Sequence, residues 1–385
     1  MHVLQVTPHF PPTWAFGGIP RIVHGLSRAL LDLGVEVTVL TTDAFDGGQR
    51  SGVAPWRFLD GIRVLCCPNL SAGLATRHQL YLPLGASHLL RGLPPPDILH
   101  LHGHRHLLNN LATSFHVGRP YVMTPNGTLP RHERKVLAKR VWDVLLSNRI
   151  PAGAARLVAV SRAEAAAFVA HGVPGERVTL IPNGLDLGEF SPLPPAGSFK
   201  RRLGLDPARP LVAYLGQISP RKGVHHLVAA FAEDPPGNAA LVVAGNDMGG
   251  QEALRRAMKP GAQVWLPGLL EGADRVALLR DADVLVYPSS AEVFGLVPFE
   301  GLLAGAPCVV CDDCGCGELV HEAGAGLLVP HGDVPALRAR IAVLLSDRTT
   351  AARMVARGRR YVETHLQWPR IAAQHRALYE EVLHR

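Results

Sequence analysis

Short apolar runs alternate with amphipathic stretches along this chain, and few folds accept that alternation. HVLQVT at 2–7 precedes a helical pattern over 19–33 that stops at Gly34. VEVTVLTT (35–42), IRVLCC (62–67), DILHLH (97–102), PYVMT (120–124) and RLVAVS (156–161) follow as further strands. Strands interleaved with helices pair in parallel and carry helices on both faces. A second series begins at PLVAYLG (210–216) and runs through AALVVAG (239–245), AQVWLPG (262–268), ADVLVYP (282–288) and APCVVC (306–311). Between the series lies FSPLPPAGSF (190–199), whose proline and small residues read as a linker. The fold class is therefore α/β, with two doubly wound, Rossmann-like domains facing across a cleft. The first is expected over 1–193 and the second over 194–366. The amphipathic segment 367–385, opened by Trp368 and Pro369, is expected to pack back on the first.

The bulk properties agree with this division. A chain of 385 residues exceeds one ordinary core. Its 47% hydrophobic and 18% charged residues describe a compact chain rather than a disordered one. The N-terminus MHVLQVTPHF reads as a strand, without the basic and apolar regions of a signal peptide. No apolar run reaches the ~18 residues of a membrane span. A cytoplasmic location is expected, with a peripheral place on the inner face of the membrane also open. The net charge of +7 favours anionic partners.

The most informative chemistry lies in AEVFGLVPFEGLLAGAPCVV, where Glu292 and Glu300 stand on either side of a strand-to-helix turn. Residues 283–288 read as a buried strand and 295–303 as the start of a helix. The unpaired amides and partial positive charge of a helix N-terminus suit an anionic ligand. Carboxylates beside such a site suit hydroxyl groups, whose protons they accept. Phosphate at the turn and hydroxyls at the acids together describe a nucleotide-sugar.

Two loops at strand ends fit the same ligand. Gly17 and Gly18 follow the first strand, with Pro20 in the first helical turn, and glycines there allow close backbone approach to a phosphate. GQISPRKG (216–223) follows the first strand of the second series, and its Arg221 and Lys222 can clamp a diphosphate. A tight turn and a solvated basic turn are the plain alternatives for these loops. The absence of G-x-G-x-x-G counts against the usual nicotinamide site. In a helix start of another kind, Ser161 is expected as N-cap, with Glu164 completing a capping box.

Histidines and cysteines also cluster. His100, His102, His104 and His106 alternate in LHLHGHRH, so a strand would place them on one face. Because the strand should end near Gly103, a cleft-lining role for His102 or His104, toward the acceptor or a phosphate, is preferred to a metal site. Cys308, Cys311, Cys314 and Cys316 crowd into PCVVCDDCGCGE. An odd separation within a strand puts Cys308 and Cys311 on opposite faces, so no metal site is expected there.

Taken together, E-x7-E enclosing FGL, the Gly17-Gly18 loop, PRKG, IPNGLDLGEF and the closing helix resemble the family-4 retaining glycosyltransferases of the GT-B fold. The resemblance extends over essentially the whole chain. It implies that Glu292 holds hydroxyls of the transferred sugar and that Glu300 holds the ribose. It implies that the backbone of Phe294, Gly295 and Leu296, with Gly17 and Gly18, approaches the diphosphate and sugar. Arg221 and Lys222 would neutralise the leaving nucleoside diphosphate, with no metal, no separate cofactor and no protein nucleophile. Two positions depart from the pattern. Gln217 stands where many relatives carry arginine, and Asn126, in TPNGTLP, stands where many carry histidine. Asn126 can hydrogen-bond a sugar but cannot act as a base at neutral pH.

The function expected is transfer of a sugar from a nucleoside-diphosphate-sugar to a hydroxyl acceptor, with a lipid-linked acceptor among the candidates. The basic amphipathic stretch 131–149, with Arg134, Lys135, Lys139 and Arg140, offers a membrane contact or a solvated surface helix. A nucleotide-sugar-binding regulatory subunit and a sugar-nucleotide epimerase on the same fold are the alternatives. Nucleic acid is not an expected partner, because the basic residues are not interleaved with aromatics.

Overall fold

A computed structural model describes residues 1–13, 17–44, 51–78, 80–129, 149–232 and 235–385. The chain divides into two units. One comprises Met1–Gly184 with Trp368–Arg385, and the other is Leu185–Gln367.

The first unit is built on an eight-stranded sheet, ordered β3-β4-β2-β1-β5-β6-β7-β8. Its strands are β1 (His2–Val6), β2 (Glu36–Thr42), β3 (Trp56–Leu59), β4 (Ile62–Cys67), β5 (Ile98–His102), β6 (Tyr121–Thr124), β7 (Arg156–Ala159) and β8 (Val178–Leu180). The central strands β1 and β5 are buried throughout, as strands covered on both faces are, and besides their apolar residues they bury Gln5, His100 and His102. β3 alone pairs antiparallel, against β4. β3 and β8, at four and three residues, are too short to stand out in the sequence.

The helix Trp368–Leu383 completes this unit. Ile371, Leu378, Tyr379 and Val382 enter the same core as Val23, Leu26 and Leu30 of the helix Gly18–Asp32. The Trp368 indole fills a slot between two glycines. A Cβ would lie 2.3 Å from it at Gly25 and 2.4 Å at Gly184, so neither position accommodates a side chain without a shift.

The second unit carries a fully parallel six-stranded sheet, ordered β11-β10-β9-β12-β13-β14. These strands are β9 (Leu211–Leu215), β10 (Ala240–Ala244), β11 (Val264–Gly268), β12 (Val284–Tyr287), β13 (Cys308–Cys311) and β14 (Gly326–Val329). The order reverses between β9 and β12. A crevice opens at such a switch point, at the carboxyl ends of the strands.

The unit boundary falls at Gly184–Leu185, upstream of the expected residue 193. The proline-rich stretch is not a free linker. Leu185 forms a parallel bridge with Gln367, Phe190 is buried, and both Asp281 carboxylate oxygens accept amides at the start of the helix Ser198–Arg202. Those contacts tie 185–202 to the second unit. The basic stretch 131–148 lies outside the described residues.

Candidate functional site

In the second unit, the loops after β9 and β12 meet at the switch point. The loop after β9 ends in a short turn, Pro220–Lys222, followed by Gly223. Gly223 has φ 63°, and a Cβ there would lie 2.2 Å from the Pro288 carbonyl oxygen. Only glycine lets the two loops approach so closely. Arg221 O then accepts the Ser290 amide at 3.1 Å, locking one loop to the other.

This contact places Lys222 against Glu292. The Lys222 ammonium donates to the Glu292 carboxylate, and also to the Tyr287 hydroxyl at 2.7 Å. Tyr287 donates onward to Glu292 Oε2 at 3.0 Å, and Ser289 Oγ donates to the same oxygen at 3.4 Å. Burial pushes the Glu292 carboxyl upward, but Lys222, Arg221 and the Tyr287 hydroxyl outweigh it and leave the group below its usual range. Burial and then the Glu292 charge push the Tyr287 phenol well up, so it serves as a donor. Glu292 is thus an ionised carboxylate in a cationic, hydroxyl-lined recess.

The helix Leu296–Ala304 starts beside it, with Gly295 in the left-handed region at φ 70°. A Cβ at Gly295 would lie 2.8 Å from Cys316 Sγ, which explains the glycine. Phe294 is buried 5.7 Å from Phe299, and the first helical amides from Leu296 onward follow the turn. Glu300, one turn on, is 5% exposed and faces the guanidinium of Arg275. Toward β10, the Ile218 amide donates to Asn246 O at 2.8 Å, and the Gly245 amide donates to Gly268 O at 2.7 Å. Tyr214 OH donates to the Gln217 carbonyl at 2.7 Å.

In the first unit the candidates divide. Gly17 is the N-cap of the helix Gly18–Asp32, at φ 98°. Asn126 sits at φ 51° after β6, and its Nδ2 donates to Thr124 O at 3.3 Å. The next residue, Gly127, donates its amide to Glu164 Oε1 at 2.6 Å. Only half of the expected capping box forms. Ser161 Oγ accepts the Glu164 amide, but the Glu164 carboxyl turns to the amides of Val160 and Gly127. Burial raises that carboxyl to about 7.

His102 sits in the interior, 1% exposed, with Nε2 2.5 Å from Gln5 Oε1. His100 lies between Tyr379 and Thr124, and His106 Nε2 is 2.8 Å from the His102 carbonyl. These rings form a buried polar cluster with His375 of the closing helix. His104 is also buried, at 8%, with its amide donating to Thr128 Oγ1. All six cysteines are free thiols in buried positions, and burial raises Cys308 and Cys311 to about 12. Among the described residues no group of three or more histidine, cysteine or acidic side chains could hold a metal ion.

Three groups at these places escape sequence reasoning. Tyr287 and Ser289 hold Glu292, and Arg275 holds Glu300. Arg275 carried a readable signal. It occupies a position on the apolar face of GADRVALLRDAD, three and four residues before buried Leu278 and Leu279.

Residues 197–361 match the model for glycosyl transferases group 1, and residues 16–189 match that for glycosyltransferase family 4. The chain is 27% identical over 406 residues to a glycogen synthase of Mycobacterium tuberculosis, covering 98% of this chain and 94% of that protein. It is 30% identical over 404 residues to a D-inositol 3-phosphate glycosyltransferase of Xylanimonas cellulosilytica, covering 97% and 94%. The fold is similar to sucrose-phosphate synthase from Thermosynechococcus elongatus, with TM-score 0.79 and 22% identity over 100% and 99% of the two chains. It is also similar to an Anabaena protein solved in complex with UDP and glucose, with TM-score 0.76 and 20% identity over 99% and 100%. Among the described residues no helix is long and apolar enough to cross a membrane. With both family models matched in order and a 30% identical relative aligned over nearly its full length, this chain belongs to the family-4 glycosyltransferases and has their GT-B fold.

Proposed function

We propose that this glycosyltransferase uses a nucleoside-diphosphate-sugar as donor and transfers its sugar to a hydroxyl acceptor with retention of anomeric configuration. The observation that carries the reading is the Lys222–Glu292 pair at the carboxyl ends of β9 and β12. Glu292 accepts sugar hydroxyls, Arg221 and Lys222 neutralise the diphosphate, and the turn at Phe294, Gly295 and Leu296 brings backbone amides to it. Glu300 takes the ribose. The Anabaena neighbour's complexes with UDP and with UDP-glucose support a donor of this class.

The bond from the anomeric carbon to the diphosphate oxygen breaks as the bond to the acceptor oxygen forms on the same face. The acceptor proton passes to the departing phosphate oxygen. The fixed cations stabilise the leaving charge, so the step needs neither a metal nor a protein nucleophile. On the first unit, Gly17 and Gly18 are the candidates to approach the diphosphate and sugar, Asn126 to hydrogen-bond a sugar hydroxyl, and His104 to line the acceptor side, while His102 is sealed in the interior. A lipid-linked acceptor and a peripheral membrane contact are included in the proposal.

Purified protein with labelled UDP-, ADP- and GDP-sugars tests the proposal. Release of nucleoside diphosphate that persists in chelator, with an axial-to-axial product by NMR, is the expected result. An inverted product overturns retention. A chain that binds donor yet transfers nothing would favour a regulatory subunit, and an epimerised donor would favour the epimerase.

A further inference from the structure

We propose that Arg275 is a positioning residue that holds the Glu300 carboxylate aimed at the ribose of the donor nucleotide; this rests on the reading of Glu300 as the ribose carboxylate. Arg275 lies on the helix Gly272–Asp281 with its side chain 7% exposed. Its Nη1 is 2.5 Å from Glu300 Oε2, and the Glu300 side chain is 6% exposed. Its Nη2 donates to the Glu189 carboxylate, which is 40% exposed on the turn Leu187–Phe190. The guanidinium also lies 5.7 Å from the Phe190 ring centroid.

The residue types explain the arrangement. A guanidinium presents donors along several edges of one rigid plane and can bridge two carboxylates, whereas an ammonium is a point charge. Two carboxylates against one cation leave a net negative charge, which attracts hydroxyl protons. A buried carboxylate deprived of its counter-charge takes up a proton, and it then loses the charge-assisted bonds it could accept. Glu189 anchors Nη2 of the guanidinium, and Nη1 lies in ion-pair contact with Glu300.

The test is discrimination between ribose and deoxyribose. UDP, ADP and GDP, with their 2′-deoxy and 3′-deoxy counterparts, are titrated by calorimetry into wild type, R275M, R275K, E189Q and E300Q. Wild type should prefer the ribonucleotide roughly tenfold, as expected for a hydroxyl bonded to a charged group. R275M and E300Q should lose that preference while keeping their affinity for the deoxynucleotide, and E189Q should retain it. A merely structural arginine would weaken both nucleotides alike. An unchanged preference in folded R275M, with the preference lost in E300Q, overturns the inference and leaves the ribose reading intact. An unchanged preference in E300Q overturns the ribose reading and the inference together. Should R275M fail to fold, R275K carries the comparison: a fall of at least about threefold in the preference is expected, and a wild-type ratio refutes the role.

Discussion

Lys222 and Glu292, seventy positions apart in the sequence, form a largely buried ion pair that the Tyr287 hydroxyl closes into a triangle. Neither side chain could hold this position alone. A carboxylate or ammonium isolated in the interior costs several kcal/mol, roughly what its partner offsets. The pair therefore keeps the carboxylate proposed to bind sugar hydroxyls ionised and fixed.

Glu292→Gln should lower turnover at least tenfold while the protein stays folded, because an amide accepts fewer bonds from sugar hydroxyls and leaves Lys222 with a weaker partner. Transfer assays alongside circular dichroism check this. Wild-type turnover would remove Glu292 from the donor site.

Lys222→Met removes the leading charge that holds the Glu292 carboxyl down, so burial then dominates and raises it. Activity that requires ionised Glu292 should lose its acid limb at a higher pH than in wild type. The pH profile of kcat in Lys222→Arg should lie between the two. An acid limb that stays in place in Lys222→Met would count against control of Glu292 by this pair.

The buried histidines make acid stability a property of the first unit. Burial lowers His9, His102 and His375 to about 3 and His106 to about 4, from an ordinary 6.5. Unfolding lets each take a proton below its ordinary value. Their stabilisation is therefore complete above about pH 6.5 and declines as pH falls toward the folded values, by about 1.4 kcal/mol per pH unit per histidine. Glu164 works in the opposite sense. Raised to about 7 from 4.5, it stabilises most below 4.5 and loses that contribution as pH rises through 7. Urea unfolding between pH 4 and 8 should show a steep loss on the acid side, and His375→Phe should reduce the slope by about one proton. A flat profile would mean that the histidines are hydrated.

Gly223→Ala should destabilise the second unit by about 2 kcal/mol or more, from a Cβ pressed on the Pro288 carbonyl and a left-handed backbone. It should also weaken nucleoside-diphosphate binding, since Arg221 and Lys222 would shift with the loop. Thermal unfolding with and without UDP measures both effects. Full stability and full binding would show that the two loops need not touch.

The fold was legible because buried parallel strands write themselves as apolar runs. Each of the eleven runs named from the sequence lies on a strand, with ends within a residue or two. β3, β8 and β14 escaped because WRFL, VTL and GLLV are short and only partly buried, so no apolar periodicity marks them. Composition misled at 190–199. Proline and glycine there reflect turns clamped by Asp281, not slack between domains.

At the site, the sequence marked Glu292, Lys222 and Glu300 through their place beside strand ends, a local feature. It could not say what faces them. The contacts of Lys222 with Glu292 and of Arg275 with Glu300 depend on which strands neighbour each other, which only the sheet order decides. His102 illustrates the same limit. Alternation placed it on one face of β5, but the closing helix, far along the chain, is what buries that face against His375 and Tyr379.

That closing helix imposes a schedule on biosynthesis. The sheet of the first unit is translated early, yet the side chains that seal it, Trp368 and Tyr379 among them, follow the entire second unit. The second unit, an unbroken stretch, can fold as soon as it leaves the ribosome. Until Trp368–Leu383 is made, the flank of the first sheet that carries His100 lacks the cover that His375 and Tyr379 give it. Nascent chains stalled before Trp368 should be cut by protease within 1–184 while 185–367 resists; equal resistance of both would show that the helix is an ornament on an already closed core.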